Sequence, residues 1–308
     1  MKFVILNGSP KGDTGITLQY VKFIQKHYPQ YDYVHHNIST KIKTIEGNKD
    51  LFENIMSDIG SSDGIIWATP VYTLFVPAQY MRFIELVHEQ NKTHVFKDKY
   101  AAVISTSIHF YDHTAHRYMN AVCDDLGMNY VDFFSAKMDD ILNNSHRTRL
   151  LIFAKFFFNS TKNKITRQKN FEPIENDTFC FVPETITHKT STQNKKIVIV
   201  TDAKDHESNI AGMIQRFSES FSEKIELLNL WDVNIKGGCT GCIKCGYDNQ
   251  CMYTDSFSKF YRSKVLPADI VVFATELVHR NFSFKFKEFF DRRFFMNHAP
   301  EFKGKQVA

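Results

Sequence analysis

Short apolar runs alternate with amphipathic stretches through the first half of the chain. The runs 3–6, 64–68 and 100–105 are dominated by apolar residues, which is typical of strands buried on both faces. Helical spacing of apolar residues follows each run, and further strands are predicted around 31–36 and 131–134. This alternation predicts a doubly wound parallel α/β sheet with helices on both faces. Since ligands bind such sheets at the carboxyl ends of strands, the loops after the three long runs are expected to share one site.

The second half of the chain restarts the same pattern. A buried strand at 197–200 runs into a polar loop and a helix, and further strands are predicted at 225–230 and 269–274. After Phe302 the chain stops where comparison with the first half predicts another strand. We therefore predict a duplicated fold with a second copy that is truncated at its C-terminus.

The segment between the two copies differs from both in composition. Residues 146–170 contain seven Lys and Arg and no acid, which accounts for the net charge of +4. A phenylalanine-rich helix face at 150–158 is expected to pack between the domains, with membrane-surface or partner docking as the alternative. One basic segment without a nucleic-acid motif does not indicate nucleic-acid binding. The predicted divisions are a first domain at 1–142, a basic aromatic arm and linker at 143–195, and a second domain at 196–308.

A glycine-rich loop joins the first strand to the first helix. Gly8, Gly12 and Gly15 are interleaved with hydroxyl side chains and Lys11. Backbone N–H groups and a helix N-terminus would meet there, an arrangement that suits a phosphate dianion. The spacing fits neither a P-loop nor the G-x-G-x-x-G fingerprint. An ordinary tight turn is the alternative.

Four of the six cysteines lie within thirteen residues, at Cys239, Cys242, Cys245 and Cys251. Without a signal peptide, this clustering indicates metal or redox chemistry rather than a disulfide framework. Three cysteines spaced by two residues can wrap one corner of a [4Fe–4S] cluster, with a fourth completing the set. Structural zinc prefers two separated pairs, so it fits less well, and free or redox-active thiols are the third interpretation.

Two loops together resemble a known family. Asn7-Gly-Ser-Pro-Lys with residues 14–17, followed by Thr69-Pro-Val-Tyr and the segment 76–84, resembles the flavodoxin-like NAD(P)H-dependent FMN reductases, and among them the iron–sulfur flavoproteins. The resemblance covers about residues 1–135 well and 196–308 in part. It implies the strand order 2-1-3-4-5, FMN as cofactor and NAD(P)H as co-substrate.

The resemblance also implies which residues hold the flavin. Its first loop would bind the phosphate, its second would flank the isoalloxazine ring, and the loop after the fourth strand would complete the pocket. The implied residues are Ser9, Lys11, Thr14, Gly15, Ile16 and Thr17; then Pro70, Val71, Tyr72, Thr73, Leu74 and Phe75; then Thr106, Ser107 and Tyr111. A second flavin is not expected, because Glu276 occupies the matching loop of the second copy.

These features predict a flavin-dependent oxidoreductase, with the flavin in the first domain and the cysteine site in the second. Electrons would pass from NAD(P)H through FMN to an iron–sulfur cluster or a small acceptor such as a quinone or free flavin. The alternatives are an electron-transfer flavoprotein served by a ferredoxin-like partner, and a redox sensor. With neither a signal peptide nor a membrane span in the sequence, a cytoplasmic location is expected. The oligomeric state stays open, a homo-oligomer included.

Overall fold

The protein is described by a computed structural model covering residues 1–174, 179–296 and 300–308. It divides into two compact units, Met1–Ile174 and Glu175–Ala308. The division falls later than the expected end of the first domain at residue 142. A long helix that the sequence assigned to the arm packs on the first sheet, which accounts for the difference.

The first unit is built on a five-stranded parallel sheet in the order β2-β1-β3-β4-β5. This order confirms the flavodoxin-like prediction. Both central strands, β3 and β4, are buried along their whole length, as their apolar runs predict. The strands are β1 (Lys2–Asn7), β2 (Asp32–Asn37), β3 (Gly64–Pro70), β4 (Tyr100–Thr106) and β5 (Asn129–Ala136).

Helices cover both faces of this sheet. On one face, α1 and α6 contribute to an aromatic core with Phe3 and Phe134. On the other face, Tyr80 of α4 packs edge-on against Trp67 of β3, with ring centroids 5.8 Å apart. The helices are α1 (Ile16–His27), α2 (Ile38–Gly47), α3 (Lys49–Gly60), α4 (Ala78–Glu89), α5 (Asp112–Asp125) and α6 (Asn144–Lys162).

Helix α6 differs from the inter-domain arm that the sequence predicts. Phe157 and Phe158 lie 5.4 and 4.9 Å from the ring of Phe3, and Phe153 lies 5.6 Å from Phe134. Burying a phenylalanine contributes about 1.5–3 kcal/mol, so this face belongs to the core of the first unit. Among the described residues, no helix combines the length and apolar character needed to cross a bilayer.

The second unit contains a four-stranded parallel sheet in the order β11-β8-β6-β7. Counted along the chain, its strands take the positions of the first four strands of the first unit. The fourth is only two residues long. Its elements are β6 (Ile197–Thr201), α7 (Asn209–Glu219), β7 (Glu226–Asn229), α8 (Cys245–Asp248), α9 (Phe257–Phe260), β8 (Ile270–Ala274), β9 (Leu277–Val278), β10 (Asn281–Phe282), α10 (Phe284–Arg292) and β11 (Gln306–Val307).

The two units repeat an unusual turn at the same place. After β3, Thr73 and Leu74 have φ angles of 44° and 66°, and after β8, His279 and Arg280 have φ angles of 45° and 75°. In both units these are the fourth and fifth residues after a threonine, Thr69 or Thr275. Positive φ is costly for such side chains, so its repetition at one offset supports the predicted duplication.

Candidate functional site

The loops after β1, β3 and β4 lie side by side, since these strands are neighbours in the sheet. The backbone N–H of Val71 donates to the carbonyl of Thr106 at 3.0 Å, which joins the second loop to the third. The Thr114 hydroxyl, in the first turn of α5, donates to the carbonyl of Leu74 at 2.5 Å. The expected site is therefore one connected surface at the carboxyl edge of the sheet.

Asn7 stabilises the conformation of the first loop through its side-chain hydrogen bonds. Its side-chain N–H groups donate to Gly12 O at 3.1 Å and to Asn37 Oδ1 at 2.7 Å, while its Oδ1 accepts from Ser9 N at 3.0 Å. Asn7 is fully buried. An asparagine at a strand end before glycine is a known turn-forming signal, so this role was readable from the sequence although only the loop residues were predicted.

The loop is closed by contacts that leave no space for side chains at its glycines. Gly12 has φ +57°, and a Cβ on Gly15 would lie 2.4 Å from the Ser9 Oγ. The Ser9 hydroxyl accepts from Lys11 N at 3.3 Å, and the Thr14 hydroxyl donates to Lys11 O at 2.9 Å. The result is a compact ring of backbone with the exposed Lys11 ammonium at its border.

A pair of buried hydroxyls connects the first loop to the third. The Thr17 and Thr106 Oγ1 atoms are 2.6 Å apart, and the two residues are 1% and 8% exposed. Because the pair uses one proton for its own hydrogen bond, one hydroxyl proton stays available to an acceptor. The backbone N–H groups of Ile16 and Thr17 begin α1 and have no acceptor within the helix. Together these donors suit an anion.

The second loop is a tight hairpin with strained corners. Tyr72 and Phe75 pair through backbone hydrogen bonds of 2.7 and 3.0 Å, with Thr73 and Leu74 at the two positive-φ corners. Phe75 is buried, and its ring lies 4.6 Å from that of Tyr118. Phe75 therefore belongs to the core, and Tyr72, which is half-buried, is the aromatic side chain of this loop that a ring could contact.

The third loop is held by a small polar network. His109 Nδ1 lies 3.2 Å from Asp112 Oδ2, and the Ser135 hydroxyl donates to the same carboxylate. Burial opposes ionisation of Asp112, but the hydrogen bonds from Ser135 and His109 outweigh it and lower its pKa. These contacts hold a loop in which His109 and Tyr111 both have positive φ.

The residues predicted for the flavin site fall into three groups by exposure. Asn7, which stabilises the first loop, and Thr114, which bonds to the second loop, were not among the predicted residues. The buried residues are Ser9, Gly15, Thr17, Pro70, Phe75 and Thr106; the half-buried ones are Ile16, Val71, Tyr72 and Ser107; the exposed ones are Lys11, Thr14, Thr73, Leu74 and Tyr111.

The matching edge of the second unit carries carboxylates instead. Asp202, 2% exposed at the end of β6, accepts from the Thr275 hydroxyl at 3.0 Å, from Glu276 N at 3.1 Å and from the Ser283 hydroxyl. Burial and then the Asp202 charge raise the pKa of Glu276. A buried carboxylate at this edge disfavours a phosphate there.

The four clustered cysteines line one pocket of the second unit. Tyr253, Arg292, Phe294 and Phe295 complete its walls, and Gly241 N donates to the sulfur of Cys239 at 3.4 Å. Among the described residues, no three His, Cys, Asp or Glu side chains form a group already arranged to hold a metal ion. The metal assignment of these cysteines therefore stays a hypothesis.

Two thiols of this pocket, those of Cys239 and Cys245, lie in surroundings that favour the protonated form. Burial raises the pKa of Cys239 to about 12 and also raises the pKa of Cys245. Reactive redox thiols require a lowered pKa that produces thiolate at neutral pH. Burial therefore disfavours a reactive redox role for Cys239 and Cys245.

A protein-family model matches most of the first unit. Residues 1–136 match the family of NADPH-dependent FMN reductases. The matched residues contain the whole first sheet with its three connected loops, and they confirm the resemblance drawn from the sequence over that range. The family's name refers to NADPH and FMN, the co-substrate and cofactor that the resemblance implies. No curated protein matches the chain closely enough to count as a relative.

The chain is similar to several solved structures over about half of its length. An NADH:FMN oxidoreductase in its apo form (EMOB) is 17% identical with a TM-score of 0.44, covering 52% of this chain and 89% of its own. An FMN-dependent NADH-azoreductase from Bacillus anthracis, in complex with FMN, is 15% identical with a TM-score of 0.37, covering 53% and 99%. FerB, an NAD(P)H:acceptor oxidoreductase from Paracoccus denitrificans, is 16% identical with a TM-score of 0.38, covering 51% and 97%.

Proposed function

We propose that this protein is an NAD(P)H-dependent flavin oxidoreductase that binds FMN at the carboxyl edge of the first sheet. The observation that carries the proposal is the connected set of three loops within the family match at 1–136. The electrons would leave to an iron–sulfur cluster at the cysteine pocket or to a small acceptor such as a quinone.

The first loop fits a flavin phosphate. The glycine backbone allows a dianion to approach closely, while the N–H groups that begin α1 and the free proton of the Thr17–Thr106 pair supply donors. Lys11 adds a cation at the border of the loop. The phosphate end would therefore be held by Ser9, Lys11 and Thr17, with Asn7 positioning the loop beneath them.

The second and third loops would hold the ring. Tyr72 offers one aromatic surface, and backbone groups of the strained turn and of residues 106–107 offer polar contacts near the ring edge. When bound, FMN supplies hydride acceptance from a nicotinamide and one- or two-electron release. The protein's own task is to fix the ring and to keep water from one side of it, which requires no acid or base side chain.

The side chains of the cysteine pocket have the chemistry that an anionic metal–sulfur group would require. Four thiols face one cavity, a backbone N–H already donates to sulfur, and the buried Arg292 brings a positive charge to the wall. Such N–H donors and nearby cations stabilise thiolate-ligated clusters. We therefore propose Cys239, Cys242, Cys245 and Cys251 as ligands of a [4Fe–4S] cluster, with zinc as the competing occupant.

Two matched pairs of variants test the proposal. FMN binding, followed by quenching of flavin fluorescence, should weaken about 10-fold or more in Thr17→Val, because a hydrogen bond to a charged group contributes roughly 1.5–3 kcal/mol. Thr161→Val is the control, since Thr161 is also buried in a helix but bonds only to a carbonyl within α6. NADPH oxidation with a quinone acceptor should require bound FMN. A protein that binds no FMN after reconstitution overturns the proposal.

The cysteine site has its own controls. Iron and acid-labile sulfide should be found in anaerobically purified protein and lost in Cys242→Ser. Cys180→Ser is the matched control, because Cys180 is also exposed but lies outside the pocket. Zinc without sulfide in the purified protein would replace the cluster assignment while leaving the flavin reaction intact.

A further inference from the structure

Arg292 is anchored at both ends of the cysteine loop. Its guanidinium donates to Asp255 through two bonds of 2.8 and 2.9 Å and to the carbonyl of Gly237 at 2.9 Å. Gly237 precedes the first loop cysteine and Asp255 follows the last. One side chain therefore fixes the distance between the beginning and the end of the loop.

Two aromatic rings pack against the guanidinium. Its Cζ lies 4.5 Å from the ring centroid of Tyr253 and 5.1 Å from that of Phe257. The residue is 1% exposed, so the charge is taken fully out of water. Burial opposes this charge, but Asp255 and the neighbouring Cys251 outweigh it and raise the pKa of Arg292.

The anchored guanidinium keeps donors that the oxygen and nitrogen atoms of the described residues do not use. The Nε–H of Arg292 is buried without a hydrogen-bond partner in the part of the chain that the structure describes, and Arg292 lines the cysteine pocket. A buried donor without an acceptor is unfavourable, because it has lost its hydrogen bond to water and gained none in return. Three of the five guanidinium N–H groups make the hydrogen bonds described above, which leaves the Nε–H and one Nη2–H facing the side of Cys251 as donors for an anion in the pocket.

We propose that Arg292 is a positioning residue that donates its Nε–H to an anionic sulfur of the group held by the four cysteines. This inference rests on the proposed cluster site and extends it. A donor to sulfur stabilises the more negative, reduced state of a cluster. Arg292 would therefore both retain the cluster and raise its reduction potential.

The variant Arg292→Lys tests the donor while keeping a cation opposite Asp255. Iron and sulfide content, the EPR-monitored midpoint potential and the rate of iron loss to a chelator are measured on anaerobic protein. Arg292→Lys should lower the midpoint potential and release iron about 10- to 100-fold faster, the usual effect of removing a partner of a metal ligand. Circular dichroism checks that the variant is folded.

Two controls separate the donor from the salt bridge. Asp255→Asn also breaks the salt bridge between Arg292 and Asp255, but it keeps the Nε–H of Arg292 and removes a negative charge. The midpoint potential of the cluster in this variant should therefore equal or exceed the wild-type value. Arg293→Lys changes the next arginine, which pairs with Glu301 at 3.3 Å and does not line the pocket, and should leave both measurements unchanged. If Arg292→Lys does not fold, the double variant Arg292→Met/Asp255→Asn removes the donor without an unpaired buried charge.

The possible results are distinct for the inference and the proposed function. An unchanged potential and release rate in a loaded, folded Arg292→Lys protein overturn the role of Arg292 and leave the cluster site standing. A fall in potential of equal size in Asp255→Asn also overturns it, because the bridge alone would then explain the effect. Wild-type protein without iron and sulfide overturns the cluster and this inference together, while FMN binding is judged separately.

Discussion

Substituting Gly15 by alanine tests how tightly the first loop is closed. Gly15 has φ −62° and ψ 135°, which alanine adopts without strain, so only the space around the new Cβ matters. That Cβ would lie 2.4 Å from the Ser9 Oγ, 2.8 Å from the Ser9 Cβ and 3.1 Å from the Gly12 carbonyl oxygen. Such separations force the loop to move.

Overpacking of a well-packed position costs typically about 1–3 kcal/mol. If the loop keeps its shape only when FMN is bound, the strain energy reduces the free energy of FMN binding. About 1.4 kcal/mol corresponds to a tenfold change in Kd. Gly15→Ala should therefore weaken FMN binding by roughly 5- to 150-fold. Fluorescence titration measures the affinity, and urea unfolding without FMN shows any share of the strain that falls on the free protein.

Two further variants make the test specific to the contact with Ser9. Gly47→Ala adds the same methyl group where no atom lies within 4 Å, and it should bind FMN normally. Ser9→Gly removes both side-chain atoms that the new Cβ meets, so the Gly15→Ala penalty should shrink in the double variant. Wild-type affinity and stability in Gly15→Ala, or strictly additive effects in the double variant, would refute the reasoning.

Three other predictions follow from single residues. Leu74→Gly should stabilise the protein by about 1 kcal/mol in urea, because Leu74 has φ +66°, whereas Leu142→Gly, at an exposed residue outside the positive-φ set, should not. Burial lowers the pKa of His116 to about 4, so the unfolded chain binds an extra proton between that value and 6.5. Stability should therefore fall as the pH drops through this window, by a few kcal/mol at most, and His116→Gln should flatten the fall in urea midpoints between pH 7 and 4.5. Phe157→Ala should cost about 3–5 kcal/mol in urea, and Phe156→Ala, whose ring is 43% exposed, far less; equal losses would contradict the packing of α6.

The sequence was sufficient for the central strands of the first sheet. The runs at 64–68 and 100–105 became β3 and β4 with every residue buried, because only a strand covered on both faces needs such a run. Helix α2 was not predicted. Its apolar residues Ile38, Ile42 and Ile45 have helical spacing but are β-branched, and packing rather than propensity decides such a segment.

The sequence could not predict which residues far apart in the chain contact each other. Thr17 and Thr106 are separated by 89 residues, and Arg292 and Asp255 by 37. Neither pairing follows from spacing, because it depends on which strand ends are neighbours and on how a loop closes. The aromatic face of α6 was visible in the sequence, but its partner Phe3 lies in β1, at the other end of the first unit's chain.

Thr106 connects the phosphate end of the proposed flavin site to its ring end through two hydrogen bonds. Its hydroxyl meets Thr17 at the start of α1, and its carbonyl accepts from Val71 in the ring loop. A ligand that lacks the phosphate would leave the Thr17–Thr106 hydroxyl pair without an anion. This would weaken the hydrogen bond between the Val71 N–H and the Thr106 carbonyl. The site would then distinguish FMN from riboflavin at the ring as well as at the phosphate, and this selectivity needs no domain movement.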